Sequence, residues 1–344
     1  MQYPREIYTG RWAGGHIQGI AVDQKNRWIY CSFTTELIKL DFDGNLLGSV
    51  KGFTGHLGCL AFNREDGRVY GTLEYKNDSI GKSILHAMGI GEIKTAFFAA
   101  IFDGAKINRA GMNAETDGVM TTVWLRDVVE DFTAVWEEDG ETVEHRYGCA
   151  GMDGITFAPA PDGSGMRLLV AYGIYGDVNR TDNDDQVIIS YRPEDLRPYE
   201  TVLTRENIHE SGPAHCEEKY FVRTGNTTWG VQNMEYDVDT GDILLAVYVG
   251  KKPQYPNFPM YVIDGSRKPG CRPDGKAELY LKEEGFYEKG IWGSRFPLGS
   301  TGMASLGDGL YYFSHHNTVD GLCESHIRLY RRTGNPAEPF ALAE

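Results

Sequence analysis

Two histidines stand at matching points of two similar segments. His16 opens HIQGIAV and His56 opens HLGCLAF, and each lies two or three residues before a glycine that leads into a short apolar run. Imidazole titrates near neutral pH and its neutral form binds metals, so such a pair could act as general acid and base or as metal ligands. The alternative interpretation is structural, with each histidine capping a strand end or bonding to a neighbouring segment.

An aspartate occupies the related position in a third segment. Asp153 precedes the glycine of MDGITFAP, and a carboxyl group there could transfer a proton or hold a metal ion. It could equally brace the strand by accepting hydrogen bonds from nearby backbone amides. His315 and His316 end a further strand in FSHHNTVDG. Because side chains alternate across a strand, we expect one of them, His315, to face the same side as the other three residues.

These residues are spaced along a repeat. Each unit has a short apolar strand, a turn rich in Asp, Gly and Asn, and a second strand of β-branched and aromatic residues, which is the pattern of a β-hairpin. The units start near residues 19, 59, 111, 154, 233 and 302. A third strand, and often a fourth, follows most of them. Units of four strands predict a β-propeller.

The predicted fold is therefore all-β: a six-bladed β-propeller formed by a single domain over residues 1–344, with five or seven blades left open because the unit near 111 is weak. The last unit has three clear strands. The N-terminal segment REIYTGRW, residues 5–12, can supply its fourth strand and close the ring, which removes an exposed sheet edge.

One face of the predicted disc carries the long loops. The turns between first and second strands are short, whereas long segments such as 75–94, 174–185 and 250–258 lie on the other side. Function usually resides on loops held by a rigid scaffold. We therefore expect a small-molecule site at the axis on the long-loop face, with His16, His56, Asp153 and His315 as catalytic residues. The predicted substrate-binding residues there are Gln18, Glu36, Glu74, Arg126, Tyr172, Gln232, Tyr248, Thr301 and His316.

Charge and composition exclude several classes of protein. The net charge of −15 argues against nucleic acids and anionic membranes as partners, since both need basic patches. No apolar run reaches the length of a membrane span, and the N-terminus lacks the apolar segment of a signal peptide, so we expect a cytoplasmic protein. The six cysteines form no C-x-x-C pair and are expected to be free, buried thiols. Nothing in the sequence specifies an oligomeric state.

At MDGITFAPAPDGSGMRLLVAYG, and more loosely at HIQGIAVDQKNRWIYCSF, the chain resembles the six-bladed propellers of the senescence marker protein/gluconolactonase family and their NHL-repeat relatives. In that family the residue before the glycine of the first strand is often a metal ligand: a glutamate in the first blade, then an asparagine and an aspartate. The resemblance implies that Asp153 binds a divalent metal such as calcium, which would polarise a lactone carbonyl. This chain departs from the family at Gln18 and Gln232, which stand where the glutamate and the asparagine are expected.

The sequence thus favours a hydrolase or lyase that acts on a polar small molecule, either a lactone, an ester or a carbohydrate, by acid–base or metal-assisted chemistry. The alternative is a propeller without catalytic activity that binds a ligand or a partner protein, in which the histidines are structural.

Overall fold

Antiparallel sheets arranged around one axis make up most of the chain. The computed structural model describes residues 2–344 except 88, 90, 92 and 161. Strand β1 (Glu6–Trp12) comes first. The first blade follows, and its inner strand is buried along its whole length. From the axis outwards its strands are β2 (Ile17–Asp23), β3 (Trp28–Phe33), β4 (Glu36–Asp41) and β5 (Leu46–Lys51).

The second blade contains the first long insertion. Its inner strands are β6 (His56–Asn63) and β7 (Arg68–Tyr75), helix α1 (Ser79–Ala87) follows, and strand β8 (Ala96–Phe102) completes the inner three. Two further strands come next, the short β9 (Met112–Asn113) and β10 (Met120–Trp124). Strand β10 pairs with β8 as the outermost strand of this blade, while β9 pairs with the edge of blade one.

The connection to the third blade holds helix α2 (Arg126–Thr133), a hairpin and a 3-10 turn at Arg146–Gly148. The hairpin strands are β11 (Val135–Glu138) and β12 (Glu141–Glu144). The four strands of blade three are β13 (Cys149–Pro159), β14 (Met166–Ile174), β15 (Asp185–Tyr191) and β16 (Glu218–Arg223). Between β15 and β16 lie helix α3 (Pro193–Leu196) and a 3-10 turn at Arg197–Tyr199.

Blades four and five complete the ring. The strands of blade four are β17 (Thr227–Tyr236), β18 (Ile243–Val249) and β19 (Met260–Ile263). Two strands, β20 (Gly270–Cys271) and β21 (Ala277–Leu279), then extend the edge of blade three, and β22 (Phe286–Glu288) pairs with β23 (Ile291–Gly293). Blade five contains β24 (Met303–Gly307), β25 (Leu310–Val319) and β26 (Leu322–Arg332), and the C-terminal β27 (Phe340–Leu342) pairs with β26.

The described residues therefore form a propeller-like ring of five blades. The inner strands contact one another in the order β2, β6, β13, β17, β24 and back to β2. Five buried apolar clusters fill the five spaces between neighbouring blades. In the space between blades two and three, for example, the rings of Tyr70 and Phe157 meet edge to face with centroids 4.9 Å apart. Such aromatic pairs add to the burial of apolar surface that holds the sheets together.

The prediction that a separate blade starts near residue 111 is wrong. Met112 and Asn113 pair in parallel with the edge strand of blade one, and Met120–Trp124 is the fourth strand of blade two. The sequence pattern was misleading because a short turn precedes β10, as it would in a hairpin, while the third strand of blade two lies after the α1 insertion. The all-β propeller prediction holds, with five blades rather than six.

Closure of the ring by the N-terminal segment is confirmed. Strand β1 pairs antiparallel with β26, which joins the two ends of the chain in blade five, and Ile7 stands opposite Ile327. Both side chains are buried in the cluster between blades five and one. The described helices include none long and apolar enough to cross a membrane. All six cysteines are free thiols, as expected, but the prediction that they are buried holds for Cys31, Cys59 and Cys149 alone, since Cys271 is exposed and the other two are half-buried.

The closure predicts a large effect of truncating Ile7. The side chain is 1% exposed, so Ile7→Ala should lower the free energy of unfolding by about 2–5 kcal/mol. Leu46→Ala is the matched control, because Leu46 lies on the outer strand of blade one and is 42% exposed; it should cost about 0.5 kcal/mol or less. Urea unfolding measures both. Equal, small effects of the two substitutions would show that β1 does not close the ring.

Candidate functional site

The first strands begin, and the second strands end, at the same face of the disc, which we call the upper face. The long connections emerge there, between β7 and β8, between β14 and β15, and between β18 and β19. Helix α1 lies in the first of these connections. The upper face is thus the elaborated one, as the loop lengths predict.

A β-bulge near the upper end of four inner strands leaves residues out of the regular pairing. Gln18 is the unpaired residue in β2, Asp153 lies in the bulge of β13, and Gln232 is the unpaired residue in β17. The equivalent bulge of β6 contains Gly58. Bulges change the direction of a side chain relative to a regular strand. Repetition of the bulge therefore gives three blades a polar residue at the same level around the axis.

His56 lies between two carboxyl groups. Its Nδ1 is 3.2 Å from Oε1 of Glu74 and 3.8 Å from Oδ1 of Asp153. His56 and Glu74 are directly opposite each other in the β6–β7 ladder, whereas Asp153 comes from the next blade. The side chains are only 13%, 2% and 14% exposed, respectively. The propeller thus assembles a compact, buried cluster of ionisable groups across a blade boundary.

Lys76 anchors Glu74 and was not predicted from the sequence. Its Nζ lies 2.6 Å from Oε1 of Glu74 and 3.8 Å from Oδ2 of Asp78, and it donates a hydrogen bond of 2.9 Å to the carbonyl of Ala150. The second oxygen of Glu74 accepts a 3.2 Å hydrogen bond from the backbone N–H of Met152. Charged and polar partners therefore surround this carboxylate, which offsets the cost of burying it.

A signal for Lys76 was present in the sequence. Glu74, Lys76 and Asp78 alternate at the end of an apolar strand, and alternate residues of a strand point to the same side. Three charges of mixed sign at that spacing predict a local ion-pair network, which the search for catalytic residue types overlooked.

The two carboxyl groups of the cluster differ in protonation. Burial alone would raise the pKa of Glu74, but the Lys76 ammonium and His56 outweigh it and lower that pKa. Burial, reinforced by the negative charge of Glu74, raises the pKa of Asp153 to about 7. Oδ2 of Asp153 accepts a 3.1 Å hydrogen bond from Gln232, while Oδ1 is buried without a hydrogen-bond partner in the described structure. The environments thus separate the two pKa values, and Asp153 keeps its proton to a higher pH than Glu74.

His56 responds to both carboxyl groups. Burial lowers the pKa of His56, but the hydrogen bond to Glu74 and the charges of Glu74 and Asp153 raise it above its usual value. Because Nδ1 of His56 lies 3.8 Å from Oδ1 of Asp153, the protonation of each group depends on that of the other.

Two further histidines adjoin the cluster. The rings of His16 and His316 have centroids 5.7 Å apart, and Nδ1 of His16 lies 3.3 Å from Nε2 of Gln18. Burial lowers the pKa of His16 to about 4, with further contributions from the charges of His56 and His316. Burial also lowers the pKa of His316. Both rings are therefore neutral at pH 7 and can each donate and accept a hydrogen bond.

His315 does not join the other predicted catalytic residues. Its Nε2 lies 2.9 Å from the hydroxyl of Tyr330, and the two rings stack on the outer part of blade five. His315 and His316 point to opposite sides of β25, and it is His316 that faces His16. The member of the pair that contacts another predicted site residue is therefore His316 and not His315.

Three further residues that were predicted to bind substrate are Tyr248, Glu36 and Thr301. Tyr248 lies near the cluster, since burial and then the charge of Asp153 raise its pKa. Glu36 faces Lys51, with Oε1 and Nζ 3.8 Å apart, and Thr301 donates a hydrogen bond to the carbonyl of Ser314.

Arg126 and Tyr172 lie away from the axis, in contrast to the prediction. The guanidinium of Arg126 lies over the ring of Trp124 on the outer strand of blade two, 4.9 Å from its centroid. Tyr172 is fully buried between blades two and three, and its hydroxyl donates a hydrogen bond to Asp131. The alignment of the repeated units placed both residues at the axis, because each lies at or near the end of the second strand of its unit. Arg126 was misplaced because its unit is not a blade, and Tyr172 because its side chain faces the core side of β14.

Asn233 connects four blades below this cluster. Its Nδ2 donates hydrogen bonds to the carbonyls of Gln18 and Ser300, at 2.7 and 3.0 Å, and its Oδ1 accepts one from the thiol of Cys59 at 3.2 Å. The residue is 1% exposed and follows Gln232 on β17. The amide therefore crosses the axis and forms the floor of the candidate site.

The cluster fits a metal ion poorly. Ligand atoms of His56, Glu74 and Asp153 lie within 4.8 Å of one another, which satisfies distance alone. Calcium requires six to eight oxygen ligands, and here the Lys76 ammonium and the amide of Met152 already occupy Glu74. Gln232 also presents its Nε2, a donor, to Asp153. A divalent ion would have to displace a buried cation, so the metal role suggested for Asp153 is not supported by this donor set.

This donor set predicts that divalent ions do not stabilise the fold. A ligand that binds only the native state raises the thermal midpoint, so excess Ca²⁺ or Mn²⁺ should leave the midpoint of the full chain unchanged relative to EDTA. Differential scanning fluorimetry measures this, with Asp153→Asn as the matched control. A rise in the midpoint of the wild-type protein that is lost in Asp153→Asn would contradict the interpretation.

No protein-family model matches the chain, and no curated protein sequence matches it. Among solved structures it is similar to the soluble aldose sugar dehydrogenase from Escherichia coli, with 10% identity, 94% of this chain and 98% of that chain covered, and a TM-score of 0.40. It is also similar to a luciferin-regenerating enzyme, with 12% identity, 95% and 94% covered, and a TM-score of 0.38. It is similar as well to the PQQ domain of pyranose dehydrogenase from Coprinopsis cinerea, with 13% identity, 90% of this chain and 81% of that chain covered, and a TM-score of 0.37. Likeness at this level carries no argument about substrate or reaction, and the propeller assignment rests on the sheet topology.

Proposed function

We propose that the upper axial cluster is the active site of an enzyme that cleaves a C–O bond in a small polar molecule by general acid–base catalysis. One observation carries the proposal: Nδ1 of a single buried imidazole lies 3.2 Å from Glu74 and 3.8 Å from Asp153, two carboxyl groups whose pKa values are shifted in opposite directions. Environments that separate the pKa values of neighbouring carboxyl groups are a recurrent feature of acid–base sites.

Glu74 acts as a positioning residue in this scheme. A carboxylate only accepts hydrogen bonds, so its contact with Nδ1 places the proton of neutral His56 on that nitrogen. Nε2 then carries the lone pair and can serve as the base. Lys76 and the amide of Met152 hold Glu74 in place, which is the supporting role that an orienting carboxylate has in catalytic triads.

His56 and Asp153 carry out the proton transfers of the proposed reaction. His56 removes a proton from water as the water oxygen bonds to the carbonyl or anomeric carbon, and Asp153 gives its proton to the leaving oxygen as the C–O bond breaks. The imidazolium then loses its Nε2 proton to solvent and the Asp153 carboxylate takes up a proton from solvent, which restores both groups while Nδ1 keeps its proton toward Glu74. The same pair would support a β-elimination if the proton came from carbon instead of water.

The surroundings favour an uncharged, hydroxylated substrate. His16 and His316 are neutral at pH 7, and Gln18 and Gln232 add amide groups at the mouth. Such groups bind hydroxyl and carbonyl oxygens without selecting for charge. A lactone, an ester or a saccharide meets this description, and the lactone agrees with the resemblance to the gluconolactonase family, although by a reaction without its metal.

The test is a turnover screen of the full chain against sugar lactones, aryl esters and aryl glycosides. Once a substrate is found, His56→Gln and Asp153→Asn should each lower kcat/KM by about 10²–10⁴-fold, because each removes a proton-transfer group. His315→Gln is the matched control and should stay within about twofold, since His315 contacts Tyr330 rather than the cluster. Thermal unfolding of each variant checks that the fold is retained.

Two outcomes would reject the proposal. Folded His56→Gln and Asp153→Asn variants with wild-type turnover would remove these side chains from the mechanism. Saturable binding of a panel compound without turnover by the wild-type protein would favour the alternative, a propeller that binds a ligand without catalysis.

A further inference from the structure

A second cavity lies on the axis at the lower face, where the inner strands end. It encloses about 300 Å³, a volume at the small end of ligand-binding pockets. All five blades contribute to its wall, for example through Val22, Phe62, Phe157, Tyr236 and Ala304. The amide of Asn233 crosses the axis between this cavity and the cluster around His56. The lower cavity is therefore separate from the site described above.

A carboxyl group lies on the wall of this cavity. Glu235 is partly exposed there, and its Oε1 accepts a 2.7 Å hydrogen bond from the backbone N–H of Ser305. Its other oxygen accepts no hydrogen bond from the described residues, and no described cationic side chain forms an ion pair with it. Glu235 thus differs from Glu74, whose carboxylate is fully occupied by Lys76, His56 and a backbone amide.

Most of the remaining wall is apolar, although Arg64 and Glu65 also line the cavity. Ile20, Leu60 and Met166 line the cavity together with aromatic rings from blades two and three. A site of this kind favours a molecule with an apolar body and a single polar group that meets the carboxyl group. A cation gains most, because a charge pair is strengthened where water is excluded. The net charge of −15 also raises the concentration of cations around the protein.

We propose that the lower cavity binds a small primary amine with an apolar body, whose ammonium group pairs with Glu235. The class of ligand follows from the unpaired carboxyl oxygen, the apolar wall and the closed floor at Asn233. This site is independent of the proposed acid–base reaction, and either could fail without the other.

Binding of an amine should depend on pH in a defined direction. Burial raises the pKa of Glu235 to about 8; the amide of Ser305 and the charge of Arg64 oppose this, and the charge of Asp237 supports it. Glu65 also lines the cavity. Below pH 8 the free carboxyl group is protonated and must release that proton when an ammonium binds. Affinity should therefore rise by up to about tenfold per pH unit between pH 6 and 8, while an alkylammonium remains charged.

Titration calorimetry of the full chain with hexylamine, hexanol and hexanoate tests the proposal. Hexylamine should bind at least about tenfold more tightly than hexanol, and hexanoate most weakly. Glu235→Gln should lower hexylamine affinity by about tenfold or more, whereas Asp153→Asn, in the other site, should leave it unchanged. In protein labelled at methionine methyl groups, hexylamine should shift the NMR resonance of Met166, which lines the cavity, and leave that of Met112, on the outer edge of blade one, in place.

Hexylamine that binds no more tightly than hexanol, or equally well to folded Glu235→Gln, would overturn the proposal. Should Glu235→Gln fail to fold, the order of the three probes on the wild-type chain and the Met166 resonance still decide. Binding that shifts Met112 but not Met166 would place the amine elsewhere and would also overturn it.

Discussion

Close approach of the five inner strands around the axis is the constraint on which the rest of the structure depends. A Cβ atom at Gly19 would lie 2.8 Å from the Cα of Cys59, so the strands of blades one and two meet at a distance that excludes a side chain there. A hub this narrow leaves little room for water, and its polar backbone groups need protein partners. The amide of Asn233 provides them, because it bonds to two carbonyls and a thiol from other blades. The result is a floor that separates the upper cluster from the lower cavity.

The cluster around His56 shows how such a hub can separate the pKa values of two carboxyl groups. Both carboxyl groups beside His56 are buried. Lys76 contacts one of them, Glu74, directly and lowers the pKa of that carboxyl group. Burial and then the charge of Glu74 raise the pKa of the other, Asp153, and these effects outweigh the charge of His56 and the hydrogen bond from Gln232. Gly58 contributes by what it lacks: a Cβ there would lie 3.1 Å from Oδ1 of Asp153 and 2.4 Å from the hydroxyl of Thr72. The space that Gly58 leaves is the space in which the Asp153 carboxyl group sits.

Sequence reasoning predicted the propeller, its closure by β1 and the convergence of His16, His56 and Asp153, because a repeated glycine marks the same level in each inner strand. The prediction failed where a glycine did not mark an inner strand. Gly111 precedes a strand that pairs at the edge of blade one, so a glycine before a strand does not by itself identify the first strand of a blade. The choice between His315 and His316 depends on the register of β25, which a single strand does not reveal. Lys76 was missed for a different reason: its ion pairs are with Glu74 and Asp78, two residues away on either side, and this local charge pattern was not considered together with the catalytic residue types.

Asp153 keeps its proton to a higher pH than Glu74, and a carboxyl-carbon NMR titration tests this difference most directly. The full chain, labelled with ¹³C in Asp and Glu, would be titrated from acid to alkaline pH, with Asp153→Asn to assign the resonance. The account predicts that Asp153 changes from protonated to ionised near pH 7 and that Glu74 is already ionised through that range. An Asp153 resonance that titrates near the ordinary aspartate value of about 3.9 would contradict it.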